Sequence, residues 1–498
     1  MVLQANINVP HFVLFPLIAQ GHIIPMIDIA KLLAQNGAIV TIFTTPKNAS
    51  RFTSVLSRAL LNGLQIKLIT LNFPSKQAGL PDGCENFDMV TISQDMMYNL
   101  FHAVSLLHKQ ADELFDKLSP KPNCIISDFC IPWTSQIAEK HHIPRISFHG
   151  FSSFCLHCMF KVFTSNILEN VNSDSEFFSV PGIPDQIQVT KEQVPGAVKQ
   201  ENLKEYSEKI LEAQMKSYGE IINSFEELEI EYVKGYKKIR NDKVWCVGPV
   251  SLCNKDGLDK AQRGNIASIS ENNCLKFLDL HKPKSVVYVC LGSLCNLISS
   301  QLIELALGLE STKRPFIWVI RDGIGKSEEL EKWISDEKFE ERNKGTGLII
   351  RGWAPQMVIL SHTSIGGFLT HCGWNSTLEG ISFGVPMITW PLFADQFLNE
   401  KLVTQVLKIG VSLGVEVPMK WGEEEKSGVV VKKEVIKDAI CNVMDEEGEE
   451  SKERRERASE LSEIAKRSIE KGGSSYLNIT LLIEDVMQLQ SSTKVETL

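Results

Sequence analysis

The sequence has no long uninterrupted apolar segment and no basic leader. Its first residues, MVLQANINVP, carry no Lys or Arg, and the apolar run from His11 to Ala19 contains Pro16 and is too short to span a bilayer. Neither a signal peptide nor a transmembrane helix is therefore expected. Basic charge is in deficit, with 52 Lys and Arg against 61 Asp and Glu for a net charge of −9. That balance disfavours nucleic acid or an anionic membrane as the main partner, since both reward a basic face. Twelve cysteines scattered over 498 residues are far too sparse for a disulfide-stapled fold, so reduced thiols and a cytoplasmic location are expected. Cys155-Leu-His-Cys158 has C-x-x-C spacing, but no second pair stands at zinc-finger distance, and Met159 follows where a haem attachment has His. Its apolar surroundings, SFCLHCMFKVF, point to core packing. Familiar nucleotide motifs are missing too. The loop after the first apolar strand, PLIAQGHIIP, lacks the glycine-rich dinucleotide fingerprint, and Gly325-Lys326-Ser327 fails as a phosphate loop because Ile320 stands where glycine is required. No D-x-D occurs, so a metal held by paired aspartates is not expected.

What is present is a large α/β pattern. A chain of 498 residues with 43% hydrophobic residues exceeds what a single core usually organises, and two domains are the natural expectation. His11–Phe15 reads as a strand, Pro16–Ile24 as a loop, Pro25–Gln35 as a helix closed by Asn36-Gly37, and Ala38–Thr44 as a strand, together a βαβ unit. Cys124–Ser127 is a further apolar strand ending at Asp128, followed by a helical stretch from Trp133. The pattern restarts with Ser285–Leu291, a turn at Gly292-Ser293, a helix over Gln301–Leu309 and a strand at Phe316–Arg321. Gly347–Ile350, Gly366–Thr370 and Val385–Trp390 follow, each strand-like and each leading into a helix candidate. Continuous apolar strands separated by helices imply parallel sheets covered on both faces. The expected fold is α/β, two doubly wound halves facing across a cleft, with ligands at the carboxyl ends of the strands. The expected divisions are 1–250, a polar linker over Ser251–Ser270, 271–470, and a C-terminal helix and tail over 471–498 that pack back on the first half; Ser491–Leu498 are expected to fray.

The most informative stretch runs from Trp353 to Gln396, WAPQMVILSHTSIGGFLTHCGWNSTLEGISFGVPMITWPLFADQ. At its centre a strand, a glycine-containing turn and a helix candidate over Asn375–Phe383 follow one another, and Ser376-Thr377-Leu378-Glu379 matches a capping box. Such a turn leaves free N–H groups at a positive helix end, a place for a diphosphate without lysine. This stretch resembles the 44-residue sugar-nucleotide signature of plant secondary-product UDP-glycosyltransferases from its W-A-P-Q to its closing D-Q. The likeness extends to FPLIAQGHIIPMIDIA, the NSFEELE segment at Asn223–Glu229, VGPV at Val247–Val250 and FIWVIR. The resemblance implies an inverting, metal-independent enzyme with two Rossmann-like domains, the GT-B architecture, and UDP-sugar, expected to be UDP-glucose, as co-substrate with no further cofactor. It implies that Trp353 stacks on the uracil, Ala354 meets the base edge through its backbone, Gln356 bonds the ribose and Glu379 accepts both ribose hydroxyls. His371, Asn375, Ser376 and Ser293 are implied to hold the diphosphate, and Trp374, Asp395 and Gln396 to line the sugar.

The resemblance also places the catalytic base at His22, in Gln20-Gly21-His22, and its orienting carboxylate at Asp128. A neutral imidazole suits proton removal from an acceptor hydroxyl near neutral pH, and a carboxylate on its other nitrogen fixes the tautomer. The acceptor is implied to be a small lipophilic plant metabolite such as a triterpenoid, flavonoid or hormone, taken through a hydroxyl or carboxyl. The loops near Asp82–Met97, Phe148–Phe154 and Val180–Lys199 would contact it, with Phe151, Phe154, Phe177, Phe178 and Val180 as apolar candidates. A monomer is expected. Two alternatives remain at this stage: a transferase using UDP-galactose or another UDP-sugar, and a nucleotide-sugar-binding protein without catalysis. Gln396 resembles the glucose-preferring pattern, and the presence of both His22 and Asp128 argues against a pure binder.

Overall fold

Short runs of β-branched and aromatic residues with no polar alternation become strands buried on both faces. In the computed structural model, which describes residues 9–90, 93–198, 201–294, 297–321 and 328–496 (side chains of 201 and 491–496 excepted), they form two parallel sheets. The first contains β1 (His11–Phe15), β2 (Ile39–Thr44), β3 (Ile66–Thr70), β4 (Cys124–Asp128) and β5 (Arg145–His149). A small antiparallel hairpin, β6 (Phe177–Ser179) and β7 (Gln188–Thr190), intervenes before β8 (Gly219–Ile222) and β9 (Val244–Cys246) complete the sheet. Its order is β3-β2-β1-β4-β5-β8-β9. The second sheet comprises β10 (Val286–Cys290), β11 (Phe316–Ile320), β12 (Gly347–Arg351), β13 (Ile365–Thr370), β14 (Met387–Thr389) and β15 (Gly410–Ser412), in the order β12-β11-β10-β13-β14-β15. In both sheets the order reverses beside the first strand, β1 or β10, which is where a doubly wound fold opens a ligand crevice. The segment Gly325-Lys326-Ser327 lies outside the described residues.

One element differs from the sequence expectation in a way that matters for the site. The first helix begins at Gln20, not Pro25, and runs to Gln35 with Pro25 inside it. His22 therefore stands in the first turn of a helix rather than in a loop. Pro25 has no N–H, so the Gly21 carbonyl four residues back has no donor in its own helix. The polar segment expected as the linker, Ser251–Ser270, is tightly held by side-chain contacts. Asp259 accepts from Lys31 Nζ at 2.6 Å and from Arg58 Nε at 2.7 Å, and Ser268 pairs with the backbone of Trp353 through its N–H at 2.8 Å and its hydroxyl at 3.1 Å.

The last helix, Ser474–Glu496, extends through most of the segment expected to fray. It lies against the first sheet. Asn478 donates to the Cys246 carbonyl at 3.0 Å, and Asp485 accepts from Tyr218 at 2.8 Å and pairs with Lys243 at 2.8 Å. Ile479, Leu482 and Val486 are buried in the core beneath β1, β4 and β5. No helix among the described residues is long and apolar enough to cross a membrane. Leu482→Ala should destabilise the protein by about 2–5 kcal/mol, the cost of a cavity at a fully buried leucine. Urea denaturation followed by tryptophan fluorescence measures it, and an unchanged midpoint would show that this helix does not stabilise the first half.

Candidate active site

The site is built where two helix N-termini meet. β1 feeds the Gln20–Gln35 helix, and β13 feeds the Trp374–Ser382 helix through His371-Cys372-Gly373. Cys372 takes a left-handed conformation (φ 64°) that turns the chain sharply, so Gly373 is the N-cap, and no side chain caps the helix. The capping box expected at Ser376–Glu379 is therefore not formed, because Ser376 already lies inside the first turn. The first intrahelical bond runs from Thr377 N–H to the Gly373 carbonyl at 3.0 Å, which leaves the N–H groups of Trp374, Asn375 and Ser376 without partners in their own helix.

Opposite them, His22 Nδ1 and Asp128 Oδ2 are 2.6 Å apart. Asp128 closes β4, fully buried, and its other oxygen accepts from Cys130 N–H at 2.9 Å. A carboxylate can only accept, so it selects the tautomer protonated on Nδ1 and leaves Nε2 as the basic nitrogen. Burial pushes the His22 pKa down. The charge and hydrogen bond of Asp128, with Asp395 further off, outweigh it and hold the imidazole above its ordinary 6.5.

The residues expected to bind the nucleotide sugar come together, but not all with free side chains. Gln356 Nε2 donates to Glu379 Oε2 at 2.8 Å and Ser376 Oγ at 3.2 Å, while Gln356 Oε1 accepts from Tyr288 at 3.3 Å. Glu379 is 3% exposed. Ala354 is buried beside the half-buried Trp353. Ser293 is half-buried in the turn after β10. In that turn Gly292 has φ +81°, and a Cβ there would lie 2.5 Å from His371 Nε2, so only glycine lets the imidazole sit against it. Burial lowers His371 to about 4, against a weaker backbone contact with Cys290, and its Nδ1 has no hydrogen-bond partner among the described residues. His371 is thus a neutral group, able to donate one N–H but not to supply charge. Burial also raises Asp395 to about 6, with the Asn399 hydrogen bond and His22 opposing the shift.

Three side chains are engaged elsewhere. Asn375, expected on the diphosphate, donates from Nδ2 to the Gly21 carbonyl at 2.6 Å and accepts from Asn223 Nδ2 at 3.2 Å. The carbonyl released by Pro25 is what draws it. Trp374, expected to line the sugar, is 2% exposed, and its indole N–H donates to the Asn223 carbonyl at 2.7 Å. What it retains for a ligand is its backbone N–H. Gln396 Oε1 accepts from Leu392 N–H at 2.8 Å and Phe393 N–H at 3.1 Å, so its amide offers a ligand only Nε2.

Among the apolar acceptor candidates, Phe154, Phe178 and Val180 are core residues and Phe177 is exposed on the hairpin. Phe151 packs on Phe129, whose ring lies 6.3 Å from that of His22. Phe129 had no periodicity to mark it beyond its place after Asp128. Sequence reasoning also passed over Asn223 and Asn399. Asn399 Nδ2 donates to Asp395 Oδ2 at 2.6 Å and to the Cys372 carbonyl at 2.9 Å, tying the Asp395 carboxylate to the turn. Arg263 was missed as well: Nε donates to Asp28 at 2.7 Å and Nη1 bonds Glu379.

The chain is similar to known proteins in sequence and in fold. The family model described as UDP-glucoronosyl and UDP-glucosyl transferase matches residues 268–444. UDP-glycosyltransferase 73C12 of Barbarea vulgaris is 56% identical over 485 residues, covering 97% of each chain. UDP-glycosyltransferase 73C6 of Arabidopsis thaliana is 55% identical over 485 residues, again 97% of each. Among solved structures, Glycyrrhiza uralensis UGT73P12 complexed with glycyrrhetinic acid 3-O-monoglucuronide is similar with a TM-score of 0.90 at 36% identity, covering 98% of each chain. Medicago truncatula UGT71G1 complexed with UDP-glucose is similar with a TM-score of 0.76 at 26% identity, covering 96% of this chain and 98% of that one.

The electrostatics of the histidine pair are directly measurable. In an NMR titration the His22 imidazole should remain protonated to a pH above 6.5. In Asp128→Asn, where burial is no longer outweighed by the carboxylate, its pKa should drop below that of the wild type. An unshifted value in the variant would mean that Asp128 does not control the proton on His22.

Proposed function

The chain belongs to the plant UDP-glycosyltransferases, GT-B enzymes that act on small plant metabolites, and we propose that it works as an inverting O-glucosyltransferase with His22 as general base. The observation that carries this reading is the 2.6 Å contact between His22 and the buried Asp128, beside a helix N-terminus whose first N–H groups have no partner in their own helix. In it, residues 1–250 hold the acceptor, 271–470 hold the donor, 251–270 join them, and 471–498 return to the first half.

The acceptor hydroxyl oxygen attacks the anomeric carbon of the donor while its proton passes to His22 Nε2. The bond from the anomeric carbon to the β-phosphate oxygen breaks on the opposite face, and UDP departs with the electron pair. Asp128 stabilises the imidazolium that forms. The N–H groups of Trp374, Asn375 and Ser376, the neutral His371 and Ser293 are suited to the charge growing on the diphosphate. Trp353 stacks on the uracil, Gln356 and Glu379 take the ribose, and Asp395 with Gln396 Nε2 faces the sugar. One in-line displacement converts an α-linked donor into a β-glycoside, and no metal is invoked.

Phe129 near His22, with Phe151 packed on it, supports a lipophilic acceptor. So does the similarity to UGT73P12, solved with glycyrrhetinic acid 3-O-monoglucuronide. UGT71G1, solved with UDP-glucose, supports glucose as the sugar. The described cysteines are all free thiols, which suits the reducing cytoplasm.

His22→Ala should abolish transfer while leaving UDP affinity nearly unchanged, as measured by mass-spectrometric product formation across an acceptor panel and by calorimetry with UDP. A variant that keeps a sizeable part of wild-type turnover would remove His22 from the base role. Donor choice gives a second check. Misplacing one hydrogen bond to an axial hydroxyl in a closed site costs about 1–3 kcal/mol, so UDP-glucose should outcompete UDP-galactose by roughly ten- to hundred-fold. Gln396→Ala should erode that preference. Equal use of the two donors in a single-tube competition would overturn the assignment to glucose.

A further inference from the structure

Glu379 and Asp28 are both buried carboxylates, 3% and 2% exposed, on helices from opposite halves. A buried charge left without a partner is strongly unfavourable, so what balances them matters. Glu379 has two partners among the described contacts, the Gln356 amide and the guanidinium of Arg263. Arg263 is the cation of the pair. Its Nε also donates to Asp28 Oδ2 at 2.7 Å, and the second oxygen of Asp28 accepts from Asn254 Nδ2 at 2.8 Å. One planar guanidinium thus spans the helix that carries His22 and the helix that carries the free N–H groups, from a segment belonging to neither sheet.

The residues after Arg263 reach the other end of the nucleoside site. Gly264 has φ +98°, and a Cβ there would lie 2.6 Å from Trp353 Cζ2 and 2.8 Å from Ile24 Cδ1. The chain is therefore pressed onto the Trp353 indole where no side chain fits. Asn265 bonds Gln20 at 2.9 Å and Asp88 at 3.0 Å, and Ser268 pairs with the Trp353 backbone.

We propose that Arg263 is a positioning residue for the donor, holding the Glu379 carboxylate in place and balancing its charge so that it can receive the ribose hydroxyls. This rests on the reading of Glu379 as the ribose ligand. A carboxylate has about four lone-pair sites, so Arg263 and Gln356 leave room for two hydroxyls. Without Arg263, Glu379 and Asp28 lose their shared cation, and Glu379 is no longer held toward the cleft. The donor site is then complete only when the joining segment is seated against both halves.

The test uses the full-length protein in four forms: wild type, Arg263→Ala, Arg263→Lys and Glu379→Ala. UDP affinity is read by calorimetry, and steady-state kinetics are run with donor and acceptor varied separately. Arg263→Ala should raise the UDP Kd and the donor KM by about ten- to hundred-fold, the range for loss of a charged hydrogen bond. Its kcat at saturating donor and its acceptor KM should stay near wild type. Arg263→Lys, which keeps the charge but not the planar fork, should recover part of the affinity; if the alanine variant does not fold, the lysine variant alone should show a raised donor KM with normal kcat. Unchanged or tighter UDP binding in Arg263→Ala overturns the proposal, tighter binding meaning that the segment competes with the nucleotide. Parallel losses in kcat and in both KM values, with no recovery in the lysine variant, also overturn it and leave Arg263 a staple between the halves. If Glu379→Ala binds UDP like wild type, it is the ribose assignment that fails; if Glu379→Ala loses affinity and Arg263→Ala does not, only the role of Arg263 fails.

Discussion

The Gly21 carbonyl, left without a donor in its own helix by Pro25, accepts from Asn375 across the cleft at 2.6 Å, and the active site is organised around that contact. It brings the first turn of one helix against the first turn of another, so the candidate base and the N–H groups suited to the leaving diphosphate approach from opposite sides. Asn223 extends the junction by accepting from the Trp374 indole on its carbonyl and donating to Asn375 from its amide. Catalysis by displacement depends on such mutual placement, because alignment of nucleophile, reacting carbon and leaving group removes much of the entropic barrier.

Burial acts on the titratable groups of this junction in different directions, and their partners decide the outcome. His22 lies against Asp128, which more than offsets desolvation and raises it. His371 has no carboxylate beside it, and burial lowers it to about 4. Two histidines of the junction are thereby given unlike chemistry, His22 as the candidate base and His371 as a neutral hydrogen-bond donor. Asp395, raised to about 6 by burial, remains largely ionised at neutral pH, where a carboxylate can accept from sugar hydroxyls. Separation of environments is how one pocket holds groups of unlike protonation.

Much of this was legible in the residues. The strands showed as continuous apolar runs because both faces of a parallel sheet are covered, and that pattern is local. The stretch from Trp353 to Gln396 pointed to a sugar-nucleotide site, and the family resemblance, rather than their positions alone, singled out His22 and Asp128, which the structure sets 2.6 Å apart. Helix starts were less legible: Pro25 looked like a beginning, although proline is tolerated inside a helix when its unpaired carbonyl finds another donor.

What the sequence by itself determined is therefore the α/β architecture, the family, and the identity of the residues gathered at the cleft. Only the tertiary structure decided how each of them is used. Asn375 bonds Gly21 across 354 positions, and Arg263 bonds Glu379 across 116. The Gln396 carbonyl, by contrast, is engaged three and four residues away by backbone N–H groups whose direction depends on a turn. Periodicity reports whether a side chain is buried, since burial repeats with the element. A hydrogen bond between distant residues has no period, and it exists only once two sheets have been folded and set face to face.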